Sequence, residues 1–113
     1  MEPRLIFAAA NTYIRNVKWS KPKIDAESEW IYIGLDDNMM NYEKVILDYF
    51  ITDELYVSLN RRESFQTNKQ SIINKIKPLI GTEDFSIWNW SFQKVIEFNK
   101  IGIYRIGINE SKT

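Results

Sequence analysis

The chain has 113 residues, of which 44% are hydrophobic and 27% charged, and its 15 basic and 15 acidic side chains leave a formal net charge of zero. This length and balance fit one folded domain, since splitting the chain would leave two halves too small to bury a core, and they lie far from the polar, aromatic-poor composition of disorder. Cysteine and histidine are absent, which excludes disulfides, thiolate metal sites and cysteine nucleophiles, together with the commonest general base and metal ligand.

Near the N-terminus, Pro3 suits the first turn of a helix, and Leu5, Ala8, Ala9, Thr12 and Tyr13 recur at helical spacing. A helix is expected over residues 3 to 16, although Tyr13 to Trp19 also alternates well enough for a strand. Residues 20 to 29, with Pro22 and mixed charges, read as a surface connection. From Glu29 to Leu35 the β-favouring run puts Ile31, Ile33 and Leu35 on one face and Trp30 and Tyr32 on the other, so a strand covered on both sides is expected. Asp37 or Asn38 can cap the next helix, in which Met39, Tyr42, Ile46, Tyr49 and Phe50 share a face while Lys44 and Asp48 form an outward i,i+4 pair.

Leu55, Val57 and Leu59 alternate with Tyr56 and Ser58 as a further strand. Thr67 and Gln70 have the spacing of a capping box, opening a helix that buries Ile72, Ile73, Ile76, Leu79 and Ile80; Pro78 and Gly81 supply its stop. Residues 85 to 90 and 101 to 108 read as strands. The stretch 92 to 98 fits a strand or a helical face, and the Asn99-Lys100 turn favours a β-meander. The sum is a single α+β domain spanning residues 1–113, with a mixed or antiparallel sheet of about four to five strands and about three helices.

Chemistry is sparse. The four glycines form no phosphate-cradling loop, and a Ser or Thr nucleophile would lack an imidazole partner. The one catalytic alternative is a metal-dependent hydrolase or nuclease using Asp36, Asp37 and Glu43, set against the local reading of Asp36 as a turn residue and Asp37 as a helix cap. Trp88 and Trp90 point the same way on a strand and suit either a stacking platform or the core. Tyr104 and Arg105 read as a core strand with one outward arginine. No stretch approaches the roughly 20 apolar residues of a membrane span, so the cytoplasm is the expected location.

Charge is distributed unevenly along the chain. Residues 1 to 24 carry five basic and one acidic residue, residues 25 to 60 nine acidic and one basic, and residues 61 to 113 nine basic and five acidic. Gathered on one face, the acids of the middle block would steer a basic partner toward it. Interleaved with Lys and Arg from the two ends, they would leave a mixed surface.

In general character, particularly Trp30 to Asp37, Glu54 to Asn60 and Phe85 to Gly107, the chain resembles the immunity proteins of bacterial polymorphic toxins, including those of contact-dependent growth inhibition. No diagnostic motif carries a family site residue onto a position here. The resemblance implies an inhibitor that binds one toxin domain, often a nuclease or other basic effector, and blocks its active site; no enzymatic activity, cofactor, metal, direct nucleic-acid contact or membrane is expected. The expected contact residues are Asp36, Asp37, Glu43, Asp48, Asp53 and Glu54, with Trp88 and Trp90 as anchors. A third reading, a nucleic-acid adaptor, would use Lys18, Lys21, Lys23, Arg61 and Arg62.

Overall fold

The structure is a computed structural model and describes residues 1–22, 24–33 and 41–112. In chain order the elements are α1 (Pro3–Tyr13), a 3-10 turn (Ile14–Asn16), β1 (Val17–Trp19), β2 (Ile31–Tyr32), α2 (Asn41–Tyr49), β3 (Glu54–Ser58), β4 (Phe65–Asn68), α3 (Lys69–Ile76), β5 (Phe85–Asn89), β6 (Lys94–Asn99), β7 (Ile103–Asn109) and a closing 3-10 turn (Glu110–Lys112). The α+β class and the three helices agree with the sequence. The described sheet, however, has seven strands in the order β1-β7-β6-β5-β3-β4, with β2 also pairing β7, and every pairing is antiparallel. The extra strands are short edge pieces whose existence depends on a neighbour's hydrogen bonds more than on their own pattern.

Helices α2 and α3 pack on one face of the sheet. Tyr42, Ile46 and Phe50 from the α2 region and Ile72 and Ile76 from α3 meet Leu55, Val57, Phe85, Ile87, Ile96, Phe98 and Tyr104. The rings of Phe85 and Phe98 stack at 4.7 Å and continue to Tyr104. Burial raises the phenol pKa of Tyr49 to about 12; Tyr104 is raised by burial, and Tyr42 by burial and then by the neighbouring Glu43 carboxylate. Tyr49 Oη donates to the carbonyl of Gly107 at 2.7 Å, and Lys94 Nζ donates back to the Tyr49 carbonyl at 3.3 Å. These bonds pin the end of α2 across β6 and β7.

On the other face α1 buries Ile6 and Ala10, with Ala9 and Tyr13 partly buried, against Tyr56, Trp88, Phe92 and Val95. This is not the stripe expected from sequence: Leu5, Ala8 and Thr12 face water. Residues 5 to 10 are all apolar, so spacing alone does not choose a face, and the small Ala9 and Ala10 allow the closer approach to the sheet. The expected cap of α3 also moves by one residue. Thr67 is taken by β4, opposite Leu55, and Asn68 Oδ1 accepts from Ser71 N at 2.9 Å instead. Leu79 and Ile80 still pack on the core, after the helix has ended. Lys44 and Asp48 both face water as expected but do not pair with each other. The expected Asp37 or Asn38 cap, and Leu35 and Met39, lie outside the described residues.

The two consecutive hairpins share one device with one difference. In the β6–β7 turn, Gly102 at φ +93° donates its N–H to Asn99 O at 2.9 Å. In the β5–β6 turn the matching place is held by Phe92 at φ +57°, its N–H donating to Asn89 O at 3.0 Å. A left-handed residue with a Cβ costs about 1–2 kcal/mol, yet the buried ring packs with Tyr13, Tyr56 and Trp88, and burying a Phe side chain stabilises by about 1.5–3 kcal/mol. Asn89 Oδ1 fixes the turn by accepting from both Gln93 N and Lys94 N, and Asn109 Nδ2 donates to Phe92 O.

This balance reverses the usual order of two truncations at position 92. Both Phe92→Ala and Phe92→Gly should destabilise the domain, but the glycine variant should be the more stable of the two by about 1 kcal/mol in urea denaturation. An alanine variant more stable than the glycine variant would show that the turn is not strained.

Candidate functional site: an arginine held between two indoles

Along β7, Tyr104 and Ile106 face the core beneath α2 and α3, so the intervening Arg105 points to the α1 face. Glu97 does the same between Ile96 and Phe98 on β6, and the register sets Glu97 directly opposite Arg105. Arg105 Nε donates to Glu97 Oε1 at 2.7 Å, and Arg105 Nη1 lies 3.9 Å from Glu29 Oε1. The guanidinium lies over two indoles: its carbon is 3.8 Å from the Trp19 ring centroid and 4.5 Å from that of Trp30. Each such contact is worth about 0.5–2 kcal/mol, comparable with or larger than a half-exposed ion pair at about 0–1 kcal/mol. Stacking therefore carries at least as much of the attachment as charge does.

Each partner arrives from a different element. Trp19 ends β1, whose pairing with β7 is extended by Ser20 N donating to Ile106 O at 2.8 Å. Trp30 precedes β2, extended likewise by Ile33 N donating to Gly102 O at 2.9 Å. The two strands thus share one edge of β7 end to end, and the segment between them is closed at the clamp. Gly107, opposite Trp19, makes this possible: a Cβ there would lie 2.8 Å from Trp19 Cε3 and 3.0 Å from Lys18 O, and would also meet Val17.

Next to the clamp the sheet face is open. Tyr32, expected to be covered, is 75% exposed, while its neighbours Ile31 and Ile33 pack on the opposite core. Asp25 and Glu27 are exposed on the connection that leads to Glu29. The Trp30 side is therefore acidic and aromatic, whereas Lys18 and Lys21 lie on the Trp19 side.

The residues expected from sequence to form the site lie on several elements. Glu43 and Asp48 ride on α2, over the opposite face of the sheet from Glu29. Asp53 and Glu54 sit together where β3 begins, with Asp53 Oδ1 accepting from Lys69 N at 3.3 Å. Trp88 is 0% exposed, its Nε1 donating to Ser86 Oγ at 2.8 Å, so it offers no surface; Trp90 is 56% exposed on the turn after β5. Asp36 and Asp37 lie outside the described residues. Among the described residues no group of three His, Cys, Asp or Glu side chains could hold a metal ion, and no helix is long and apolar enough to cross a membrane. Sequence reasoning missed the grouping of Trp19, Trp30, Glu97 and Arg105. The available signal was a lone acid and a lone base on two apolar strands joined by an identifiable turn.

No protein-family model, curated protein or solved structure matches the chain.

The clamp depends on a bare backbone at position 107. Gly107→Ala should push Trp19 off the sheet, destabilise the domain by about 1–3 kcal/mol and reduce the near-UV circular dichroism of the stacked tryptophans. A variant with unchanged stability and spectrum would contradict this geometry.

Proposed function

We propose that the chain is an inhibitory binding domain of the immunity-protein kind, which neutralises a basic protein toxin domain through the acidic and aromatic segment 24–32. The observation that carries this reading is the clamp on Arg105, which holds Glu29 and Trp30 against the sheet and leaves Tyr32, Asp25 and Glu27 exposed beside them. Aromatic residues on a rigid frame lose little conformational entropy on binding, and carboxylates around them favour basic partners and accelerate encounter. A nuclease groove shaped for phosphates is one such partner surface. The acidic and aromatic character expected from sequence stays and the residues differ: Asp25, Glu27, Glu29, Trp30 and Tyr32 are proposed in place of Asp36, Asp37, Glu43, Asp48, Asp53, Glu54, Trp88 and Trp90.

The test is to co-express the chain with the product of its neighbouring gene and to measure toxicity, growth rescue and binding. Wild-type chain should restore growth on co-expression, and the combined Asp25→Lys, Glu27→Lys and Tyr32→Ala variant should bind at least about tenfold more weakly, a loss of about 1.4 kcal/mol, while keeping its fold. Rescue and affinity unaffected by those three changes, or no rescue by the wild type, would refute the reading.

A further inference from the structure

A second surface lies at the opposite edge of the sheet and stands independently of the acidic segment. It is a cleft between the outward side of α1 and the β3–β4 loop, lined by Arg4, Leu5, Phe7, Ala8, Asn11 and Arg61. Its floor is apolar: Leu5 is 50% exposed, Ala8 is exposed and Phe7 half-buried, although all three belong to a helix whose opposite side is fully packed.

The loop that forms the other wall is rigidly built. Asn60 Oδ1 accepts from Arg62 N at 3.0 Å and Glu63 N at 2.8 Å. Asn60 O accepts from Ser64 N at 3.2 Å and from Ser64 Oγ at 2.6 Å, and that hydroxyl oxygen in turn accepts from Leu59 N at 2.9 Å. A loop so held presents Arg61 at little further cost in entropy. Among the described residues Arg61 has no ion-pair partner, whereas Arg4 is matched by Glu2 at 3.2 Å.

We infer that this cleft binds a short peptide segment of a protein partner in which a carboxylate stands next to apolar side chains. The charge count selects that occupant. Of the two guanidiniums that line the cleft, Arg4 is paired with Glu2, which leaves Arg61 to recognise a single carboxylate through a forked pair of N–H groups. A nucleic-acid strand brings a phosphate at every nucleotide and would meet, within the cleft, one unpaired cation, a carboxylate and an apolar floor. The Leu5 and Phe7 side chains instead suit an aliphatic or aromatic neighbour of the carboxylate.

The probe is an end-blocked pentapeptide with one carboxylate, Leu-Ser-Phe-Asp-Leu, titrated into the 15N-labelled full chain, with its Asn counterpart as the neutral control. Saturable shifts are expected at the amides of Leu5, Ala8, Asn11 and Arg61. Affinity should fall at least tenfold for the neutral peptide and for Arg61→Ala, and by less for Arg61→Lys. Both substitutions are at an exposed position, and an unchanged spectrum elsewhere establishes that the fold is intact. Absence of shifts at these residues at millimolar peptide, equal binding of the neutral peptide, or the same shifts produced more tightly by a single-stranded oligonucleotide at low salt would each overturn the proposal.

Discussion

The contact of one guanidinium with two indoles closes a segment that the sheet alone would hold weakly. Strands β1 and β2 are three and two residues long, too short to be stable as isolated pairings. Each gains a side-chain attachment at the same point, because Trp19 and Trp30 both lie against the Arg105 guanidinium. The connection between them is thereby closed at both ends on one edge of β7. That edge, which would otherwise expose a row of unpaired backbone groups, is covered by the chain's own N-terminal region.

The two faces of the sheet divide the remaining work. Under α2 and α3 the contacts are almost wholly apolar and continuous, with Tyr49 and Lys94 supplying polar attachments at the margin. The face under α1 is only partly covered, and there small, charged and aromatic residues meet. Trp88, Phe92 and Tyr56 bury under the helix, whereas Glu97, Arg105 and Trp30 lie beyond it. Phe92 shows how much packing under α1 matters, since a strained backbone is kept where the neighbouring hairpin uses glycine.

The secondary structure was legible wherever a periodic pattern met a deep core. Tyr42 and Ile46 on α2, Phe50 directly after it, and Leu55 and Val57 on β3 are buried as their spacing requires. The buried side of α1 was not legible, because six consecutive apolar residues fit more than one stripe. β4 was hidden because Thr67 and Gln70 have the spacing of a cap and only the pairing partner Leu55 assigns Thr67 to a strand. For the site, sequence blocks of charge were a poor guide: Glu29 and Asp48 belong to one acidic run yet lie over opposite faces of the sheet. A better signal was the Asn99–Gly102 turn, which fixes the hairpin register and sets Glu97 opposite Arg105. The indoles against that pair come from strands distant in sequence, which no local pattern reveals.

Hydrogen exchange in an Arg105→Met variant tests the role of this clamp most directly, since Met retains much of the side-chain volume and removes the charge and the flat stacking surface. If the guanidinium holds the segment, the amides of Ser20 and Ile33, which donate to Ile106 and Gly102, exchange at least about tenfold faster than in the wild type, equivalent to about 1.4 kcal/mol of lost local stability, while those of Val57 and Ile87 in the core are unchanged. Equal protection of Ser20 and Ile33 in the two proteins would mean that the short strands hold themselves, and the clamp would lose its place at the centre of this account.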